Sequence, residues 1–228
     1  MKIAVLGTGM VGQIIATKLL ELGHLVWMGT RNVAETQSRT KPNQMTGHSF
    51  ADWYQVYPQV HLETYGALPA DLDLFVNATS GGGAAAALSL VGTDKLSGKT
   101  VLDLSNPLDF SKGFPPFLSV CNTDSLVEQL QAQFPEVHFV KSLNTMTATL
   151  MVAPENVPGD HTVFMSGNDA EAKAKVKTLL QEIGWKPANI LDLGDLSTAR
   201  GTEMLLPIWL RVMGALGHPN FNFHIVQA

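Results

Sequence analysis

The chain has 228 residues, enough for one substantial domain with an appendage, and its net charge of −5 comes without any cluster of Lys or Arg, which excludes a nucleic-acid partner. Hydrophobic residues make up 45% and charged residues only 15%, well below the roughly one quarter of ordinary soluble domains, so extensive burial and a homodimer are expected. A single cysteine, Cys121, excludes an internal disulfide, no Cys/His spacing suits a metal, and no run is apolar enough to span a bilayer, so a cytoplasmic location without membrane contact is expected.

Lys2-Ile3-Ala4-Val5-Leu6 reads as a buried strand, and Gly7-Thr8-Gly9-Met10-Val11-Gly12 follows at once. A Gly-x-Gly-x-x-Gly loop between strand and helix holds the pyrophosphate of a dinucleotide: the first glycine permits the tight turn, the second lets backbone approach the phosphates, and the third lets helix and strand pack closely. Val11, Ile14, Ile15, Leu19 and Leu22 then share one helical face up to Gly23. Leu25 to Met28 gives a second strand, ending in Gly29-Thr30-Arg31-Asn32. After a weaker stretch, Ser49 is predicted to cap a short helix through Trp53 and Tyr57, and Val60 to Leu62 forms a third strand. Leu72 to Ala78 is a stronger strand, passing through Thr79-Ser80 and Gly81-Gly82-Gly83 into a helix over Ala84 to Leu90. Thr100 to Leu104 is the next strand, Asp124 is placed to cap a helix carrying Leu126, Val127 and Leu130, and Val137 to Leu143 is a further strand before Asn144-Thr145.

This alternation of apolar strands and helices predicts an α/β fold, a Rossmann-type doubly wound parallel sheet over residues 1–150. Residues 151–228 are expected to form a small carboxyl-terminal α/β extension that completes the substrate crevice and supplies a dimer interface. Within it lie a strand near Thr162 to Met165, a helix from Asp169 to Gly184 with Lys173, Lys175 and Lys177 on a solvated face, a strand over Ile190 to Gly194, and an apolar helix over Thr198 to Leu216 that Pro207 should bend or near whose start it should sit.

Ligands of such sheets sit beyond the carboxyl ends of the strands. Loops 7–12, 29–32, 77–83 and 142–147 should therefore converge on the cofactor, with Ala78 and Thr79 among the cofactor-binding residues and Asn77, Ser80 and Asn144 candidates for the nicotinamide end. In NAD-binding versions of the fold an acid at the end of the second strand takes the ribose hydroxyls. Here Thr30, Arg31 and Asn32 stand in its place, and a guanidinium binds a 2′-phosphate that an acid would repel, so the cofactor is read as NADP(H). Arg39 and Lys41 follow without a predictable placement.

Several segments in one order resemble the NADP oxidoreductases named for archaeal NADPH:coenzyme F420 reductase, a fold shared with the cytosolic domain of the STEAP metalloreductases. They are Gly7 to Gly12, Gly29-Thr30-Arg31, Val140 to Thr145, Ser166 to Asp169, Leu193 to Arg200 and Phe221 to Ile225. The resemblance implies hydride exchange between NADPH and a flavin-like or deazaflavin acceptor of the F420 type, with Leu196, Ser197 and Thr198 lining the acceptor's side of the crevice. The archaeal enzymes carry a histidine where this chain has Asn144, and many bacterial relatives carry asparagine. Hydride transfer to such a ring asks the protein for position rather than acid–base chemistry. A carbonyl or imine acceptor would instead need a general acid, for which Lys141 is the candidate. A non-catalytic NADP(H) sensor would use the Met204 to Leu216 helix as its partner-facing surface.

Overall fold

The computed structural model describes residues 1–43 and 46–226. In chain order the first half contains β1 (Lys2–Leu6), α1 (Met10–Glu21), β2 (Leu25–Thr30), α2 (Val33–Gln37), α3 (Phe50–Val56), β3 (His61–Thr64), β4 (Leu74–Asn77), α4 (Gly81–Val91), α5 (Thr93–Leu96) and β5 (Thr100–Asp103). There follow β6 (Leu108–Asp109), β7 (Phe117–Leu118), α6 (Leu126–Gln133), β8 (His138–Ser142), α7 (Ala148–Val152), β9 (Val163–Gly167), α8 (Ala170–Ile183), β10 (Ile190–Asp192) and α9 (Ala199–Leu216).

Eight strands form one sheet in the order β10-β9-β8-β5-β4-β1-β2-β3, and β6 with β7 make a separate small hairpin. From β3 to β8 every pairing is parallel, which is the doubly wound dinucleotide-binding order with its switch point between β1 and β4. The alternation of side chains across the pleat explains the two cores. Ile3 and Val5 pack under α1, α7 and α8, whereas Ala4 and Leu6 pack under α4 and α6.

The carboxyl-terminal segment does not build a sheet of its own. β9 joins β8 antiparallel, with Val140 opposite Gly167, and β10 then pairs parallel to β9. The chain direction is therefore reversed over the last two strands.

Local chemistry accounts for the element ends. Ser49 and Asp52 form a reciprocal capping box on α3, and the Asp169 carboxylate accepts from the Ala172 N–H at the start of α8. The cap of α6 is Ser125 and not Asp124: the Ser125 hydroxyl accepts from the Glu128 N–H, while Asp124 accepts from the Ser125 N–H and the Gln129 amide. α4 starts at Gly81, three residues before the alanines, because its glycines are already helical. Lys173 is not part of a solvated stripe, since it pairs with Asp192 at 2.9 Å. Pro207 lies inside a continuous α9. No described helix is long and apolar enough to cross a membrane, and no group of described His, Cys, Asp or Glu residues is arranged to hold a metal ion.

Candidate functional site: a nucleotide crevice at the switch point

At the carboxyl edge, the chain leaving β1 turns through Gly7, whose φ is +110°. Two of the glycines are dictated by crowding. A Cβ on Gly7 would stand 2.8 Å from the Ala78 carbonyl oxygen, and one on Gly12 would stand 2.1 Å from that of Gly7. Gly9 meets nothing within 4 Å. The first and third glycines thus close the loop onto β4 and α1, and the middle one leaves room for a ligand. The first backbone N–H groups of α1, from Met10 onward, have no partner inside the helix and face this space with the positive end of its dipole.

The loop opens on a crevice of about 340 Å³. Gly7, Thr8, Gly9, Thr30, Arg31, Asn32, Ala78, Thr79 and Ser80, all expected from the sequence, line it. So do Gly83, from the loop expected to converge here, and Glu35, Thr36, Arg39, Tyr65, Ala86, Ala87 and Leu90, which sequence reasoning did not place. The Tyr65 ring lies so close to β2 that a Cβ on Gly29 would approach it to 2.7 Å, so glycine at the strand end is what admits the ring. Burial pushes the Tyr65 phenol up, against a smaller opposite pull from Arg31. The Thr30 hydroxyl is held by that of Thr36 at 2.7 Å, and Asn32 caps α2 by accepting from the Glu35 N–H.

Met10, Val11 and Gly12 form the first turn of α1 behind the loop, with the Met10 and Val11 side chains packed against the core, so what they present to the crevice is backbone N–H. Asn77 is fully buried, and its amide donates to Asp103 at 2.6 Å while its carbonyl oxygen accepts from the Thr79 N–H and hydroxyl. It shapes the Ala78 to Ser80 loop from beneath and does not face the ligand space. Asn144 is likewise buried, in a reciprocal pair of 2.9 Å hydrogen bonds with Asn106. Leu143, with φ of 63°, turns the chain sharply between β8 and Asn144, and the packing of its buried side chain holds this uncommon conformation.

Lys141 is 1% exposed and lies outside the crevice lining. Its ammonium contacts Asp103 at 2.7 Å and Glu203 at 2.8 Å, and donates to the Ser105 carbonyl oxygen. Burial lowers its pKa, but the two carboxylates outweigh that effect and the net direction is upward. A lysine that holds its proton so firmly, with every donor engaged, does not serve as a general acid. Glu203 also accepts from the N–H groups of Leu126 and Val127, so it caps α6 while anchoring α9 to the sheet. Sequence reasoning missed both carboxylates. The signal was there: Glu203 is a lone acid in the apolar run Met204-Leu205-Leu206, and Asp103 ends a strand between leucines.

The Leu196 to Thr198 turn requires a correction. Because β9 runs against β8, the chain leaves it at the amino edge of the parallel strands, where Asp169 lies 3.8 Å from His138. There the Asn168 side chain accepts from the Leu196 N–H, Leu196 is buried, and Thr198 bonds Ser166. Ser197 faces a separate open hollow shared with Glu128, Gln131 and His138. These three residues therefore sit at the edge opposite the nucleotide loops. It is α9, running back through Glu203 toward Leu126, that returns the carboxyl-terminal segment to the crevice side.

The arrangement fits a 2′-phosphorylated dinucleotide: an open glycine cradle, and two guanidinium groups, Arg31 and Arg39, that have no carboxylate within ion-pair distance among the described residues. Comparison with known proteins agrees. The family model described as NADP oxidoreductase, coenzyme F420-dependent, matches residues 2–107. A crystal structure from Arthrobacter sp. FB24, of a protein provisionally named an F420-dependent NADP reductase, matches over 100% of both chains with a TM-score of 0.93 and 51% identity. Rat metalloreductase STEAP3 is 28% identical over 216 residues, which are 91% of this chain but only 38% of that longer protein. An imine reductase from Aspergillus terreus shares the fold alone, with a TM-score of 0.60 at 19% identity over 95% of this chain and 62% of that one. The glycine cradle, the basic end of β2 and the full-length match together place this chain in the coenzyme F420-dependent NADP oxidoreductase family, as an NADP-dependent oxidoreductase.

Proposed function

We propose that the chain transfers hydride between NADPH and a flat flavin-like or deazaflavin acceptor of the F420 type. The observation that carries this reading is the locking of Lys141 between Asp103 and Glu203, which removes the one lysine expected at the nicotinamide end from proton transfer. NADPH, when bound, supplies the hydride. The protein's part is position: the Gly7 to Gly12 loop seats the pyrophosphate, Arg31 meets the 2′-phosphate, and the Asn77–Asp103 and Asn106–Asn144 pairs fix the loops beyond β4, β5 and β8.

Surfaces at the same edge support an apolar acceptor. The loop after Asn106 exposes Phe110, Phe114 and Phe117, and α9 exposes Met204 and Ile208. An imine or carbonyl substrate is not favoured, because Lys141 cannot supply its proton.

The test is to mix the protein with NADPH and, separately, F420, FMN or FAD, and to follow the reduced-nicotinamide absorbance. Loss with F420 or a flavin is the expected result. Tight NADPH binding with no turnover by any of them would favour a redox sensor. The exposed apolar face of α9 also supports a homodimer in solution, which sedimentation equilibrium should report as twice the mass of the 24.6 kDa chain; a monomer at micromolar concentration would end that part of the proposal.

A further inference from the structure

Arg39 belongs to none of the motifs, yet the fold brings it across the crevice to the glycine loop. Its backbone is fixed on both sides, by its own N–H to the Thr36 carbonyl oxygen at 3.2 Å and by the Ala51 N–H to its carbonyl oxygen at 3.1 Å. Its guanidinium lies 4.9 Å above the buried Phe50 ring, within cation–π range. One amino group, Nη2, then donates to both the carbonyl oxygen and the hydroxyl of Thr8, at 3.1 and 2.7 Å. The Thr8 carbonyl also accepts from Gln13 at 3.1 Å, so the middle of the loop is held from two directions.

What the guanidinium lacks is an anion. Arg39 forms no ion pair with any described residue, and neither does Arg31 on the same crevice. Glu35 lines the crevice as well and raises the Arg39 pKa slightly, but partial burial dominates and depresses it. A cation fixed at the crevice wall, still open to solvent and without a carboxylate partner, is set for an anionic ligand. Among the described residues, Nε and Nη1 take no partner, which leaves N–H donors on either side of the engaged Nη2 group for the oxygens of an anion.

We propose that Arg39 is a second reader of the cofactor's 2′-phosphate and that, by gripping Thr8 with its remaining amino group, it couples recognition of that phosphate to the shape of the pyrophosphate-binding loop. The inference rests on the NADP(H) reading of the crevice and deepens it. Arg31, at the end of β2, approaches the phosphate from the strand side; Arg39 approaches from the loop side. A dinucleotide without the 2′-phosphate leaves Arg39 with Thr8 alone.

A purely structural brace behaves differently, because losing it would weaken NADPH and NADH alike. The decisive experiment measures the affinities of NADPH, NADH and 2′,5′-ADP for the wild type, Arg31→Ala, Arg39→Met and Arg39→Lys, with thermal melting of each. Arg39→Met should weaken NADPH and 2′,5′-ADP by at least about tenfold and NADH by several-fold less, since NADH loses only the brace on Thr8. Arg39→Lys, which keeps the charge without the fork, should fall between, and it carries the test if the methionine variant does not fold. Joined with Arg31→Ala, the losses should be non-additive, as expected for two groups on one phosphate. Equal losses for NADPH and NADH, or no loss for either, would overturn the proposal. If the wild type shows no preference for NADPH and Arg31→Ala changes nothing, it is the NADP(H) reading itself that fails.

Discussion

Lys141→Ala should be among the most destabilising single substitutions in the molecule, lowering the free energy of unfolding by about 3–5 kcal/mol. Asp103 and Glu203 are both essentially inaccessible to water, and Lys141 is the cation that compensates them. Removing it leaves two uncompensated carboxylates in the interior. The loss should appear in urea unfolding as a lower midpoint with an unchanged slope. Because the folded pKa of Lys141 is raised, its contribution is fully present below the unfolded lysine value, about 10.4, and disappears only as pH rises through the folded value. Neutral and mildly alkaline buffers should therefore leave the wild type unaffected. A Lys141→Ala protein as stable as the wild type would mean that the buried network is not formed as described. The same argument removes this variant as a probe of acid catalysis, since its activity would fall through unfolding.

Gly12→Ala should weaken NADPH binding sharply while leaving a folded but less stable protein. The added methyl would stand 2.1 Å from the Gly7 carbonyl oxygen; a Cβ has no rotamer and its partner is backbone, so no side-chain movement relieves the clash. Either α1 moves off β1 or the loop opens, and both displace the N–H groups that face the pyrophosphate. Overpacking of this kind costs about 1–3 kcal/mol of stability, and the loop shift should weaken NADPH on the order of tenfold or more. Calorimetric titration and a melting curve read the two effects separately. Native affinity in this variant would show that the loop does not carry the pyrophosphate.

Much of the crevice was legible in the chain because its chemistry is local. The cradle is six consecutive residues whose sizes and turn geometry are set by their neighbours, and the basic end of β2 is two more. Arg39 and Tyr65 were not legible, because each reaches the crevice from a connection whose path the residues alone do not fix. Asn77 and Asn144 illustrate the opposite error. A position just past a strand end predicts reach into the ligand space, but each amide is turned toward a partner contributed by a distant segment, buried Asp103 or half-buried Asn106. Lys141 was in the same position: its place near the end of β8 was evident, and its two carboxylate partners came from β5 and α9.

The sequence by itself determined the alternation of apolar strands and helices, the dinucleotide loop and the missing acid after β2, since each depends on residues adjacent along the chain. Only the tertiary structure decided the direction of β9 and β10. An apolar strand buried on both faces carries the same pattern whichever way it runs. That one reversal sends Leu196 to Thr198 to the far edge, brings Glu203 back onto Lys141, and makes α9, rather than the turn before it, the part of the carboxyl-terminal segment that reaches the crevice side.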